Sequence, residues 1–284
     1  MDPGLYDKAK AQLAEAGWCI IPDVIARDVA AMAVDRLWDA AEANAAEGYS
    51  CFLPGIDPNP NMVRVLTPLS ADKIFRDLIQ HPDALEMVRA VVGAEIVVAN
   101  CTANIARPGS RPMALHADLA FILPEPWLHP WSVNIVWCLT DVHRDNGATL
   151  YIPGSHHWRT AADVPADAAA RLIPFEAKAG SFIVMDGRIW HTSGANVTAD
   201  EDRALLFGYY SAAFLRPMIN WTAAIPAELQ ASFSPQLRYL LGLDVFANTS
   251  NTEDQGHWKG MPVGVEQAQA DVRRARATTV GERQ

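Results

Sequence analysis

Residues 132–153 read SVNIVWCLTDVHRDNGATLYIP, and the fold turns on how this stretch divides. Val133, Ile135, Val136 and Trp137 give its first part β character, and Leu150, Tyr151 and Ile152 do the same for its last. Between them stands Asp145-Asn146-Gly147, a turn signal, because Asn and Gly adopt left-handed backbone at little cost. The stretch predicts two strands joined as a hairpin, with Asp145 bonding its own backbone in the turn. Outward from it, EIVVANCTANIA, GSFIVMDG and RALLFGYYSAAFL repeat the pattern, separated by RPGSRP, PGS and KAG. Such a concentration of short strands between residues 95 and 215, with no convincing helix among them, points to a closed or double-sheet antiparallel fold. Open edges would invite aggregation. The predicted class is mainly β with flanking helices, a double-stranded β-helix of the jelly-roll or cupin-like kind.

The flanks read differently. From Asp28, a plausible N-cap, apolar residues recur at helical spacing through Val29, Met32, Ala33, Leu37, Ala40 and Ala41. DALEMVRAVV (83–92) repeats that spacing and stops at Gly93, while CFLPGIDPNPNM (51–62) is loop. The expected organisation is one domain over 1–284. It comprises a mostly helical part (1–94), a jelly-roll core (95–215), a C-terminal helical segment (216–264) and a polar, basic tail (265–284). A formal charge of −10 disfavours a phosphate-backbone partner. Four cysteines with no CxxC exclude the usual zinc-knuckle and redox spacings and read as free thiols in a reducing compartment. No leader pattern and no apolar run of about 18 residues is visible, so a cytoplasmic protein without a membrane span is expected.

Two His-x-Asp pairs occur, His116-Ala117-Asp118 and His143-Arg144-Asp145. In a strand, residues i and i+2 share a face, so the spacing offers an imidazole and a carboxylate to one metal ion. The second pair falls in the turn and reads as scaffold. The first enters the apolar run ALHADLAFIL, where a charged Asp118 costs free energy unless something pairs with it. His191, which is 73 residues beyond Asp118, is the third candidate ligand, a gap that allows about four strands and their connections. His156, His157 and His129 fit less well, and His81 and His257 lie outside the β region. Twelve residues past His191, Arg203 opens an apolar strand, and its planar fork suits bidentate recognition of a carboxylate. Its bland alternative is a surface pair with Glu201 or Asp202.

With these motifs in order, the sequence resembles the phytanoyl-CoA dioxygenase family of iron(II)/2-oxoglutarate oxygenases over about residues 95–245. The resemblance implies Fe(II) on His116, Asp118 and His191, with 2-oxoglutarate held by Arg203 and assisted by Thr149, and O2 as the oxidant. Many relatives carry a glutamine three residues before the first histidine, where this chain has Met113. An aspartate at 118, rather than the small residue of halogenating relatives, implies hydroxylation or a related oxidation.

The expected reaction oxidises an unactivated C–H bond of a small, lipophilic molecule such as a natural product of secondary metabolism, by hydroxylation, desaturation or rearrangement, with release of succinate and CO2. Candidate pocket residues are Met113, Phe121, Trp127, Trp131, Trp137 and Arg216. Two alternatives stay open: an acyl-CoA or fatty-acid-type hydroxylase of the same family, and a zinc-bound cupin hydrolase or isomerase. The partners expected are a small-molecule substrate and, as a possibility, a second copy in a homodimer; nucleic acid is not expected.

Overall fold

The structure, a computed structural model, describes residues 3–244, 250–251 and 258–259. The polar tail expected from about residue 265 lies outside the described residues. Five helices, α1 (Pro3–Ala16), α2 (Arg27–Ala46), α3 (Pro68–Ala71), α4 (Lys73–Ile79) and α5 (Pro82–Val92), alternate with two strands, β1 (Trp18–Ile21) and β2 (Met62–Val65). The core strands follow: β3 (Ile96–Ala106), β4 (His116–Ala117), β5 (Ser132–Cys138), β6 (Thr149–Tyr151), β7 (Ile173–Pro174), β8 (Phe182–Asp186), β9 (Trp190–Ser193) and β10 (Arg203–Ala212). Three short helices, at Trp221–Ala224, Ala227–Ala231 and Pro235–Leu240, follow β10.

Six strands form one antiparallel sheet in the order β1-β8-β5-β10-β3-β2, and four form a second in the order β4-β9-β6-β7. The two face each other as the walls of a double-stranded β-helix. Residues 132–153 therefore cross between sheets rather than forming a hairpin: β5 pairs with β8 and β10, while β6 pairs with β7 and β9. Its turn is real, but Asn146 rather than Asp145 organises it. Asn146 Oδ1 accepts from His143 N, its Nδ2 donates to Asp141 O, and Gly147 sits at φ 90°.

Alternation along the strands of the large sheet separates two cores. Ile135, Trp137, Val184, Leu206 and Tyr210 pack outward against Leu13, Leu37, Phe75, Leu85 and Val88 of the helices. Val136, Cys138, Ile183, Met185 and Leu205 point inward to meet Tyr151 and Phe175. A bulge breaks this rule on β3. Tyr209 pairs with Asn100 and Tyr210 with Val98, so Ala99 is an extra residue. Val98 packs on the helical side while Asn100, two residues on, lines the interior cavity.

Three local expectations are corrected. Helix α2 starts at Arg27 with Ala26 as its N-cap, and Asp28 instead accepts from Val29 N inside the first turn. The mostly helical part contributes β1 and β2, which extend both edges of the large sheet. The run ALHADLAFIL is strand only at His116–Ala117; Asp118–Phe121 is a 3-10 turn. All four cysteines stand as separate thiols, and burial pushes Cys19 and Cys138 up to about 12.

Gly180 ties the N-terminal segment to the turn entering β8. Its φ is +92°, its carbonyl accepts from Val24 N and Ile25 N, and a Cβ there would lie 2.2 Å from Ile25 O. Gly180→Ala is expected to cost about 2–4 kcal/mol through backbone strain and the backbone clash, read as a drop in the denaturation midpoint.

Candidate metal centre

The short β4 pairs with β9 so that His116 lies directly opposite His191. Asp118 follows on the 3-10 turn, and its Oδ1 stands 3.9 Å from His116 Nε2 and 3.8 Å from His191 Nε2. Two bonds of about 2.1 Å to one ion can span roughly 4.2 Å, so both separations suit a shared metal. The ligand atoms of all three residues lie within 4.8 Å of one another. The tautomers are fixed as well. His116 Nδ1 is 2.9 Å from Ala114 O and His191 Nδ1 is 2.9 Å from Ile189 O. A carbonyl only accepts, so each Nδ1 carries the hydrogen and each Nε2 offers its lone pair. Burial also holds His191 below the usual histidine range, which favours the neutral form a metal requires. Donors of this set, two imidazoles and a carboxylate on one face, fit a divalent first-row metal with positions left open.

The second His-x-Asp pair stays outside. His143 Nε2 meets Glu201 Oε2 at 2.8 Å on the exposed turn.

Beside the three residues opens a cavity of about 360 Å³. Arg203 lines it and is fully buried, donating from Nε to Gly147 O and from Nη1 to Asn104 Oδ1. Among the described residues its hydrogen-bond partners are a carbonyl and an amide rather than a carboxylate, and burial pushes its pKa down to about 10. A buried guanidinium without a counter-charge, opening on a cavity, fits the carboxylate of a bound diacid. Thr149 and Met113 line the same cavity. Met113 Sδ lies 3.8 Å from the Arg64 guanidinium, and Arg64 is itself paired with the buried carboxylate of Asp57.

Four of the remaining sequence-derived pocket candidates, Trp127, Trp131, Trp137 and Arg216, do not line this cavity. Trp137 is on the helix-facing side of β5, packed edge-on against His81 and Phe182. Trp127 is buried and donates from Nε1 to Ile122 O, bracing its own loop. Trp131 packs edge-on against Phe214 and tilted against His129, and Arg216 is exposed. The side chain of Phe121 lies outside what is described. His156 is buried in a 3-10 turn beyond β6.

Several lining residues escaped the sequence reading, among them Arg64, Asn100, Thr102, Asn104, Asn134, Phe207 and Tyr209. A signal was present for three of them. Asn100, Thr102 and Asn104 sit at alternate positions of the otherwise apolar IVVANCTANIA, the pattern of one polar face on a buried strand.

The chain is similar to known proteins. The family model for phytanoyl-CoA dioxygenase matches residues 13–204. A relative named dioxygenase af480, from Aspergillus fumigatus, is 52% identical over 237 residues, covering 84% of this chain and 77% of that protein. The iron/alpha-ketoglutarate-dependent dioxygenase ausU of Aspergillus calidoustus is 27% identical over 80% of this chain and 77% of its own. Among solved structures, the non-heme alpha-ketoglutarate-dependent epimerase SnoN from nogalamycin biosynthesis superposes with a TM-score of 0.60 at 20% identity, covering 84% of this chain and 94% of its own. The carbocyclase SnoK from the same biosynthesis gives 0.60 at 23%, covering 81% and 91%. At such identities the structures speak for the fold, while the family model and the 52% relative speak for descent. The chain is a member of the phytanoyl-CoA dioxygenase family.

Proposed function

We propose that the chain is a non-haem iron(II)/2-oxoglutarate-dependent dioxygenase that oxidises an unactivated C–H bond of a small, largely apolar natural product. The observation carrying this reading is that one cavity joins the His116, Asp118 and His191 cluster to the uncompensated charge of Arg203. Iron(II) bound there would supply dioxygen activation coupled to decarboxylation of 2-oxoglutarate, with succinate and CO2 as coproducts. The chain's residues do the rest. His116, Asp118 and His191 hold the metal through Nε2 and carboxylate oxygens. Arg203, kept in place by Gly147 O and Asn104, receives the distal carboxylate, with Thr149 beside it. The sheets exclude water and fix the position of the C–H bond.

Substrate class follows from the lining. Ile56, Met113, Phe207 and Met218 supply apolar surface, with Ile56 and Met218 half exposed at the mouth. Asn100, Thr102 and Asn134 add polar groups, and Asn100 Oδ1 has no partner within the protein. An apolar skeleton carrying at least one hydrogen-bonding substituent suits this mixture. Two structural neighbours from nogalamycin biosynthesis support a natural-product substrate. The acyl-CoA alternative needs cations for its phosphates. The guanidiniums lining the cavity are Arg64, neutralised by Asp57, and Arg203. The four separate thiols support a reducing, cytoplasmic setting.

Succinate release under air, above the substrate-free background, tests the reading. Apolar natural products that carry a hydroxyl or carbonyl group are expected to stimulate it and acyl-CoAs to leave it at background. Stimulation by acyl-CoAs alone would favour the lipid reading.

A further inference from the structure

Asp118 is the least anchored member of the cluster by backbone alone. His116 and His191 sit opposite each other on paired strands, whereas Asp118 opens a 3-10 turn just past the two-residue β4. What holds it comes from the opposite sheet. Asn134 on β5 donates from Nδ2 to Asp118 Oδ2 at 3.0 Å. The hydroxyl of Tyr209, directly across from Asn134 on β10, lies 3.3 Å from Asp118 O and 2.7 Å from Ser132 Oγ. The two oxygens of the carboxylate are thereby made different: Oδ1 faces both imidazole Nε2 atoms, and Oδ2 is engaged by the amide.

Asn134 is buried, and its Oδ1 has no hydrogen-bond partner. An unpaired buried amide oxygen is destabilising. Leucine has the same number of side-chain heavy atoms and the same branch at Cγ, and would leave no orphan at position 134, at the cost of the donor to Asp118 Oδ2. An asparagine here is therefore explained by its other end, the Nδ2 donated to Asp118.

We infer that Asn134 is a positioning residue that holds Asp118 as a one-oxygen ligand, so that the carboxylate does not swing to bind through both oxygens and occupy a coordination position needed by the cosubstrate or dioxygen. This rests on the metal-centre reading above. The predicted consequence concerns the binding mode of the carboxylate, beyond the strength of binding.

The test uses manganese(II) as the probe and the full-length chain. Infrared difference spectra, metal-loaded minus metal-free, of protein labelled with carbon-13 at the aspartate carboxyls report the separation of the two carboxylate stretches. That separation is wide for one-oxygen ligation and narrow for two. Wild-type protein is expected to show the wide signature. Asn134→Leu is expected to show the narrow one and to bind manganese(II) about 10–100-fold more weakly, with the thermal midpoint of the metal-free protein unchanged or higher. Should the leucine variant not fold, Asn134→Ser is expected to show the same spectral change. A weaker affinity with the wide signature intact overturns the inference, because a loosened structure alone would produce it; so does an unchanged variant. Absence of a metal-dependent band in the wild type overturns the metal-centre reading and this inference with it.

Discussion

Alanine at His191 is expected to abolish the visible charge-transfer band that wild-type apoprotein develops on anaerobic titration with iron(II) and 2-oxoglutarate. His116→Ala and Asp118→Ala are expected to do the same. Each of the three supplies one ligand atom to a site whose other members lie within 4.8 Å. Partners that merely orient a ligand are worth about 10–100-fold in metal affinity, so losing a ligand should cost more than about a hundredfold. Folding should survive in His116→Ala and Asp118→Ala, since both side chains are only partly buried and β4 contributes little else. His143→Ala is the control with the same His-x-Asp signature. Its imidazole meets an exposed Glu201, so its loss should leave the band intact and cost no more than about 0.5 kcal/mol of stability. A band lost in His143→Ala and kept in His116→Ala would reverse the assignment.

The second large effect is expected at Arg203. Methionine there removes the buried charge and should weaken 2-oxoglutarate binding by about 3 kcal/mol, roughly two orders of magnitude. Manganese(II) binding without 2-oxoglutarate should be little changed, because Arg203 bonds Gly147 O and Asn104 rather than the cluster. Lysine should restore only part of the affinity. It returns a point charge but cannot donate to Gly147 O, Asn104 and a carboxylate in one planar arrangement. Titrating the visible band against 2-oxoglutarate, and manganese affinity separately, measures both arms. An equal loss in the two would mean that Arg203 supports the fold rather than the diacid.

The sequence made the chemistry legible sooner than the geometry. His116, Asp118, His191 and Arg203 stood out because charged or metal-ligating groups in apolar strands need partners, and the structure gathers them about one cavity. The turn at Asp145-Asn146-Gly147 was equally plain. That it crosses between sheets was not, since a turn signal says nothing about which strands supply the ladder bonds on either side. Trp137 illustrates a second limit. Aromatic residues near a ligand strand invite a pocket role, yet Asn134 and Val136 face inward, and strict alternation sends Trp137 to the helices. Alternation itself fails at Ala99, where one extra residue turns Asn100 into the cavity although Val98 faces out. The edge strands Trp18–Ile21 and Met62–Val65 are four residues each, too short for periodicity to separate them from the helices and loop around them. Asn134 was invisible for a different reason. One polar residue in SVNIVWC has meaning only once Asp118 is known to lie 3.0 Å away.

Isotope labelling tests the proposed reaction most directly. Purified protein loaded with iron(II) and 2-oxoglutarate, exposed to oxygen-18 dioxygen, should form succinate carrying one oxygen-18 atom in its new carboxylate, with one CO2 released per succinate. Asp118→Ala and Arg203→Met should form little of it under the same conditions. Succinate without the label, or no succinate from protein that binds zinc(II) and turns over without dioxygen, would contradict the account and return the cavity to hydrolytic or isomerising chemistry.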